Sequence, residues 1–173
     1  MVMKLIGGIL VVGACGGIGD YLAKCLERRV EELTQLYHTI LELQGEIRYA
    51  ATPLSEAMLQ LGKQGRGCIA DCFLRIAKEM EQADGRSLSD IVRQTGSIEL
   101  QKTVLTRQDK EQLFRLGDSL GRLDKTQQLL ATEHYLTGLR EEIEEAKRIK
   151  KERSYLYRCL SILAGVFLMI LMI

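Results

Sequence analysis

Cys68 and Cys72 stand four residues apart. On a helix that spacing puts both thiols on one face, which is half of what a zinc site requires. A closed site needs four ligands. No second cysteine pair follows, and His38 and His134 stand alone. The other cysteines are Cys15, Cys25 and Cys159, an odd total of five. That count suits free, reduced thiols better than a disulfide framework. No metal and no cofactor is expected.

A second candidate lies near the start. Gly13-Ala-Cys-Gly16-Gly17-Ile-Gly19 follows an apolar run and precedes a helical pattern. A Rossmann phosphate loop has that order, because glycines let the backbone approach a pyrophosphate. Such a fold needs further βα units, and no convincing strand follows Asp20, so a nucleotide-binding enzyme using Gly13 to Gly19 ranks last. The same stretch contains Val12-Gly-Ala-Cys15, which loosely resembles a lipoprotein cleavage box. An exported or lipid-anchored helical protein using Cys15 is therefore the alternative reading. A cleaved signal peptide, with Lys4 as its n-region and Ala14 near the cut, also exports the chain. Neither histidine has a Ser or Cys neighbour that suggests a triad. No G-x-x-x-x-G-K-[ST] loop is present. The expectation is a protein that is not an enzyme.

The elements that carry these residues follow from charge and periodicity. The chain has 173 residues and a net charge of +1, which gives no field that would favour nucleic acid. The charge is unevenly placed. Lys4 is the one charge in the first nineteen residues, and Cys159 to Ile173 carries none. A membrane span needs roughly 20 mostly apolar residues. Residues 155–173 meet that length, with Arg158 able to snorkel and Tyr155 and Tyr157 suited to the interface. Residues 1–20 are weaker because they hold six glycines before Asp20, although membrane helices tolerate glycine at close contacts. Both segments are expected to be transmembrane. Lys24, Arg28 and Arg29 follow the first, and Lys147, Arg148, Lys150, Lys151 and Arg153 precede the second. By the positive-inside rule, residues 21–154 form a cytoplasmic domain with both termini on the far side.

That middle domain reads as helix throughout. Leu22, Leu26, Val30, Leu33, Tyr37, Ile40, Leu43 or Gln44, and Ile47 fall three or four apart, so the first span continues as one helix to about Tyr49. Thr52 and Pro53 read as N-cap and first residue of a short helix over 54–61, ended near Gly62. Gly65-Arg-Gly67 is a turn. A helix over 68–82 puts Ile69, Cys72, Phe73, Ile76, Ala77 and Met80 inward, and Asp84-Gly85 stops it. Ser87-Leu-Ser-Asp90 opens a helix to about Gln94, and Thr106-Arg-Gln-Asp109 opens another to about Leu120. Asp124 caps the last helix, whose face carries Leu129, Thr132, Leu136, Leu139, Ile143 and Ala146. Glu141, Glu142, Glu144 and Glu145 precede Lys147, Arg148, Lys150 and Lys151, with Glu144 and Glu145 three or four residues before Lys147 and Arg148, the pattern of a solvated face. The expected fold is all-α: a bundle of about six helices, the first and last long, antiparallel and continuing into the spans.

One motif goes beyond periodicity. Leu41 to Ala57 contains Glu46, Ile47, Tyr49, Thr52, Pro53, Leu54, Glu56 and Ala57 in the pattern E-I-x-Y-x-x-T-P-L-x-E-A. It resembles the stage III sporulation protein AB family. The likeness extends to the opening Met-x-x-Lys-Leu-Ile-Gly, to Arg28 and to the length. Gly45 departs from it, standing where a stronger helix former is expected. The resemblance implies a membrane protein of endospore-forming bacteria, in the mother-cell membrane around the forespore, within a multiprotein channel. It implies a cytoplasmic domain similar to those of inner-membrane platform proteins of type II secretion and type IV pili. The implied partners are a secretion-type ATPase, the stage III sporulation protein AA, and other stage III channel proteins, together with membrane lipid. The contact surface is placed at the helix break, on Glu46, Arg48, Tyr49, Thr52, Pro53 and Glu56. Capping and turn geometry explain Tyr49, Thr52 and Pro53 equally well.

Overall fold

Apolar residues at helical spacing and a single proline produce an all-helical chain. The structure is a computed structural model that describes residues 2–49, 52–82, 85–122 and 124–172; side chains are described from Gly13 onward, apart from Met169, Leu171 and Met172. Among the described residues there are six α-helices and no strand. They are α1 (Val2–Tyr49), α2 (Leu54–Gln64), α3 (Gly67–Glu81), α4 (Leu88–Glu99), α5 (Arg107–Leu120) and α6 (Lys125–Met172), with a short 3-10 turn at Leu100–Lys102. The chain divides into two units, residues 31–143 and residues 1–30 with 144–173.

The 31–143 unit has the core. Leu33, Leu36, Ile40 and Leu43 of α1 are almost wholly buried, as are Ile69 and Cys72 of α3, Ile91 of α4 and Leu100. Each large aliphatic side chain buried in this way contributes about 1.5–3 kcal/mol. Leu36 is the buried residue in that turn of α1, while Tyr37 is half-buried and turns its hydroxyl to Arg140. Helices α2, α3, α4 and α5 pack in sequence order, each against the next. The Glu32 carboxylate accepts the Val104 backbone N–H at 2.8 Å and ties α1 to the segment before α5.

The helix starts are chemically specified. Thr106 accepts the Asp109 N–H at 3.2 Å and Asp109 accepts the Thr106 N–H at 2.8 Å, a reciprocal capping box. Ser87 caps α4 in the same sense, accepting from the Asp90 N–H at 3.2 Å. Asp124 accepts the Gln127 N–H at 3.0 Å and opens α6. Gly67 has φ +79° and Gly85 has φ +80°, a left-handed backbone that glycine adopts without strain.

Three boundaries differ from expectation. Gly62 does not end α2, which runs to Gln64, because it is buried as a contact point against Leu74. Helix α4 runs to Glu99 rather than Gln94, since Gly96 packs on the Phe114 ring instead of breaking the helix. Pro53, not Thr52, is the N-cap of α2; the Thr52 hydroxyl donates to Glu46 instead of capping. Asp84 lies outside the described residues.

In the other unit the two chain segments run antiparallel. Asp20 pairs with Arg158 at 3.3 Å, and Glu27 pairs with Lys150 at 2.7 Å. Close approach depends on small residues. A Cβ on Gly19 would stand 2.7 Å from the Tyr157 carbonyl oxygen and closer still to the Ser161 side chain, and Ala23 is buried. Leu156, Leu160, Ile162, Leu163, Phe167, Leu168 and Ile170 face outward. Among the described residues no helix is long and apolar enough to cross a membrane. The expected spans at 1–20 and 155–173 fall in part outside those residues, because the side chains of 1–12, Met169 and 171–173 are not among them.

The phosphate-loop reading of Gly13 to Gly19 is corrected here. These residues are helical, within α1, and no strand precedes them among the described residues. A phosphate loop needs a strand-to-helix turn. Gly19 instead serves the contact with Tyr157 and Ser161.

Candidate functional site

The helix break follows from Pro53. A proline ring cannot sit in a helix interior, and it biases the preceding residue toward extended backbone. Helix α1 ends at Tyr49 and α2 begins at Leu54. The Pro53 carbonyl accepts the Glu56 N–H at 3.0 Å and the Ala57 N–H at 3.1 Å, which starts α2. Arg48 lies in the last turn of α1 and Glu56 in the first turn of α2, each sign matching the local helix dipole.

The structure places the six predicted residues as follows. The Thr52 hydroxyl donates to the Glu46 carboxylate at 3.4 Å, bridging the break. Tyr49 is 84% exposed, more than any other large apolar or aromatic side chain among the described residues. Arg48, Pro53 and Glu56 are exposed. Among the described residues Arg48 pairs with neither Glu46 nor Glu56. Ile47 is buried beneath and anchors this end of α1. The break thus presents an exposed tyrosine, one cation and two carboxylates, a set suited to contact with another macromolecule. It carries no nucleophile beside a base.

The thiols can be placed too. All five cysteines are free, with Cys72 buried and Cys68 half-buried. Burial, helped by the charge of Glu99, pushes the Cys72 thiol up to about 12. Among the described residues no three His, Cys, Asp or Glu side chains gather where they could hold a metal ion.

Two features were not singled out from the sequence. Glu99 is buried and holds Lys102 at 2.6 Å and Arg75 at 3.0 Å. The Lys102 hydrogen bond, with Arg75 adding its charge, lowers the Glu99 carboxyl below its ordinary value against the opposing effect of burial. The second is a groove of about 410 Å³ between α5 and α6, walled by Arg115, Leu116, His134, Tyr135 and Gly138 among others. A glycine in mid-helix was the one available signal for it.

The family model described as stage III sporulation protein AB matches residues 4–173. The chain belongs to that family. A stage III sporulation protein AB from Bacillus subtilis (strain 168) is 26% identical over 174 residues, covering 98% of this chain and 99% of the relative. A solved structure named stage III sporulation protein AB aligns with a TM-score of 0.67 at 23% identity, covering 72% of this chain and 98% of that one. That likeness is one of fold. It agrees with an all-helical bundle, and the stage III family membership makes this a sporulation protein.

Proposed function

We propose that this stage III sporulation protein AB family member is a non-enzymatic membrane platform subunit. It couples a cytoplasmic secretion-type ATPase, the stage III sporulation protein AA, to the channel between mother cell and forespore. The observation that carries this reading is the family match over residues 4–173. Residues 1–20 and 155–173 span the mother-cell membrane, residues 21–154 lie in the cytoplasm, and both termini lie on the far side. The outward-facing Leu160, Leu163, Phe167 and Ile170 support a lipid-facing surface, since apolar side chains at this density are costly in water. The bases flanking both segments support the orientation.

The ATPase contact is placed at the helix break, with Tyr49 as anchor and Glu46, Arg48, Thr52, Pro53 and Glu56 around it. Two measurements test the proposal on the full chain. Capture of the ATPase by the detergent-solubilised protein should fall about tenfold or more in Glu46→Lys and Glu56→Lys, with helical circular dichroism unchanged. Undiminished capture in both variants sinks the contact surface. A membrane-impermeant thiol reagent should miss an exposed cysteine placed by Gln60→Cys in intact cells. Labelling there sinks the cytoplasmic orientation. Cys72 is unsuited to that assay because it is buried.

A further inference from the structure

The α5–α6 groove lies apart from the helix break and asks for an occupant. Ala131, His134, Tyr135 and Gly138 of α6 form one wall; Gln112, Arg115, Leu116 and Ser119 of α5 form the other. A Cβ on Gly138 would meet nothing within 4 Å, so no contact among the described residues accounts for this glycine. Glycine in a helix interior costs about 1 kcal/mol relative to alanine. The wall includes a guanidinium and an imidazole and no carboxylate.

Beside the groove, on the adjacent stripe of α6, stand Leu130, Glu133 and Thr137, spaced i, i+3 and i+7. Leu130 is 62% exposed. Glu133 is exposed as well. Among the described residues neither Glu133 nor Arg115 has an ion-pair partner in the chain. A protruding apolar side chain and a free carboxylate thus adjoin a depression with a free cation. Glu133 stands on α6 and Arg115 on α5, and no ion pair joins the two within the chain.

We propose that a second copy of this chain fills the groove. Half a turn about an axis running along α6 brings the Leu130 stripe of each copy against the groove of the other, with the two α6 helices parallel. Arg115 then faces the partner's Glu133, twice by symmetry, and the missing side chain at Gly138 leaves room for the incoming stripe. The parallel arrangement rests on the membrane reading above, since both copies must enter one bilayer by the same end of α6. The ATPase contact plays no part in it.

The experiment uses the full chain in lipid nanodiscs, with Cys15, Cys25, Cys68 and Cys159 replaced by serine. With the buried Cys72 kept in place, one cysteine introduced by Gln127→Cys or by His134→Cys lies near the axis, so each should oxidise to a dimer with its own copy. The distant Gln60→Cys should not. In a cysteine-free readout, light scattering should report a dimer. Arg115→Glu and Glu133→Arg should each raise its dissociation constant about tenfold or more, and the double variant should restore it. Monomers at every protein-to-lipid ratio would falsify the proposal. So would a dimer indifferent to both charge reversals, a double variant as weak as the singles, or oxidation at His134→Cys alone, which marks an antiparallel pair. ATPase capture is read separately: its loss with an intact dimer counts against the platform reading alone.

Discussion

Gly62 stands directly against Leu74. A Cβ at position 62 would come within 2.6 Å of the Leu74 amide nitrogen and 2.7 Å of its Cα. These are backbone atoms, which cannot rotate aside as a side chain would. Helix α2 can therefore touch α3 only because residue 62 lacks a side chain. Gly62→Ala should destabilise the protein by about 2–3 kcal/mol despite alanine's better helix propensity. Urea denaturation of the full chain in detergent checks the sign. A stabilised variant would mean that the helices are not in contact there.

The Thr106–Asp109 box makes a second prediction. Thr106→Ala removes the acceptor for the Asp109 N–H and should cost about 1 kcal/mol. Thr106→Ser keeps an acceptor and should cost far less. Equal losses in the two variants would show that packing of the threonine methyl matters more than the cap.

Glu99 sets a pH dependence. Its carboxyl is lowered by Lys102 first and by Arg75 after it. A group lowered in the folded state binds its proton more readily once unfolded. Its contribution is present above the ordinary glutamate range, near pH 4.3, and is lost as pH falls through the lower folded value. Glu99→Gln should therefore be less stable than the parent at pH 7. The two should converge in acid, in thermal melts run between pH 7 and pH 3. A difference unchanged by pH would assign the loss to packing.

The cysteines should divide by reactivity. The thiolate is the nucleophile, and Cys72 is buried with its thiol pushed up to about 12. At pH 8 an alkylating reagent should modify Cys68 well before Cys72, by mass spectrometry of the folded protein. In denaturant the two should react alike. Prompt labelling of Cys72 in the folded state would mean that α3 is not docked.

The starts of the helices were open to reading in the sequence because their chemistry is local. Thr106, Ser87 and Asp124 each find their partners within three residues. Glycines were harder, because the same residue ends one helix and lets another be approached. Gly65 caps α2 as its place in the turn suggests, whereas Gly62 and Gly96 serve contacts with Leu74 and Phe114. Only the neighbour tells these cases apart. Glu99 is the extreme case. It sits at the end of α4, but one of its cations comes from α3, 24 positions earlier in the numbering. At the helix break, Pro53 announced the turn, while the Thr52-to-Glu46 bond displaced the expected cap by one residue. The α5–α6 groove left only the trace of Gly138.

The hydroxyl of Tyr37 meets the Arg140 guanidinium at 3.1 Å across a sequence separation of 103, and Glu27 meets Lys150 across 123. Synthesis adds about 5–20 residues per second, so these partners are made roughly 5–25 s apart. Throughout that interval Tyr37 and Glu27 stand without these partners from the last helix. The α2–α5 segment, with each helix touching the next, can assemble on the ribosome from neighbours alone. The closing step must wait for the final third of the message, and a truncated product would lack both contacts.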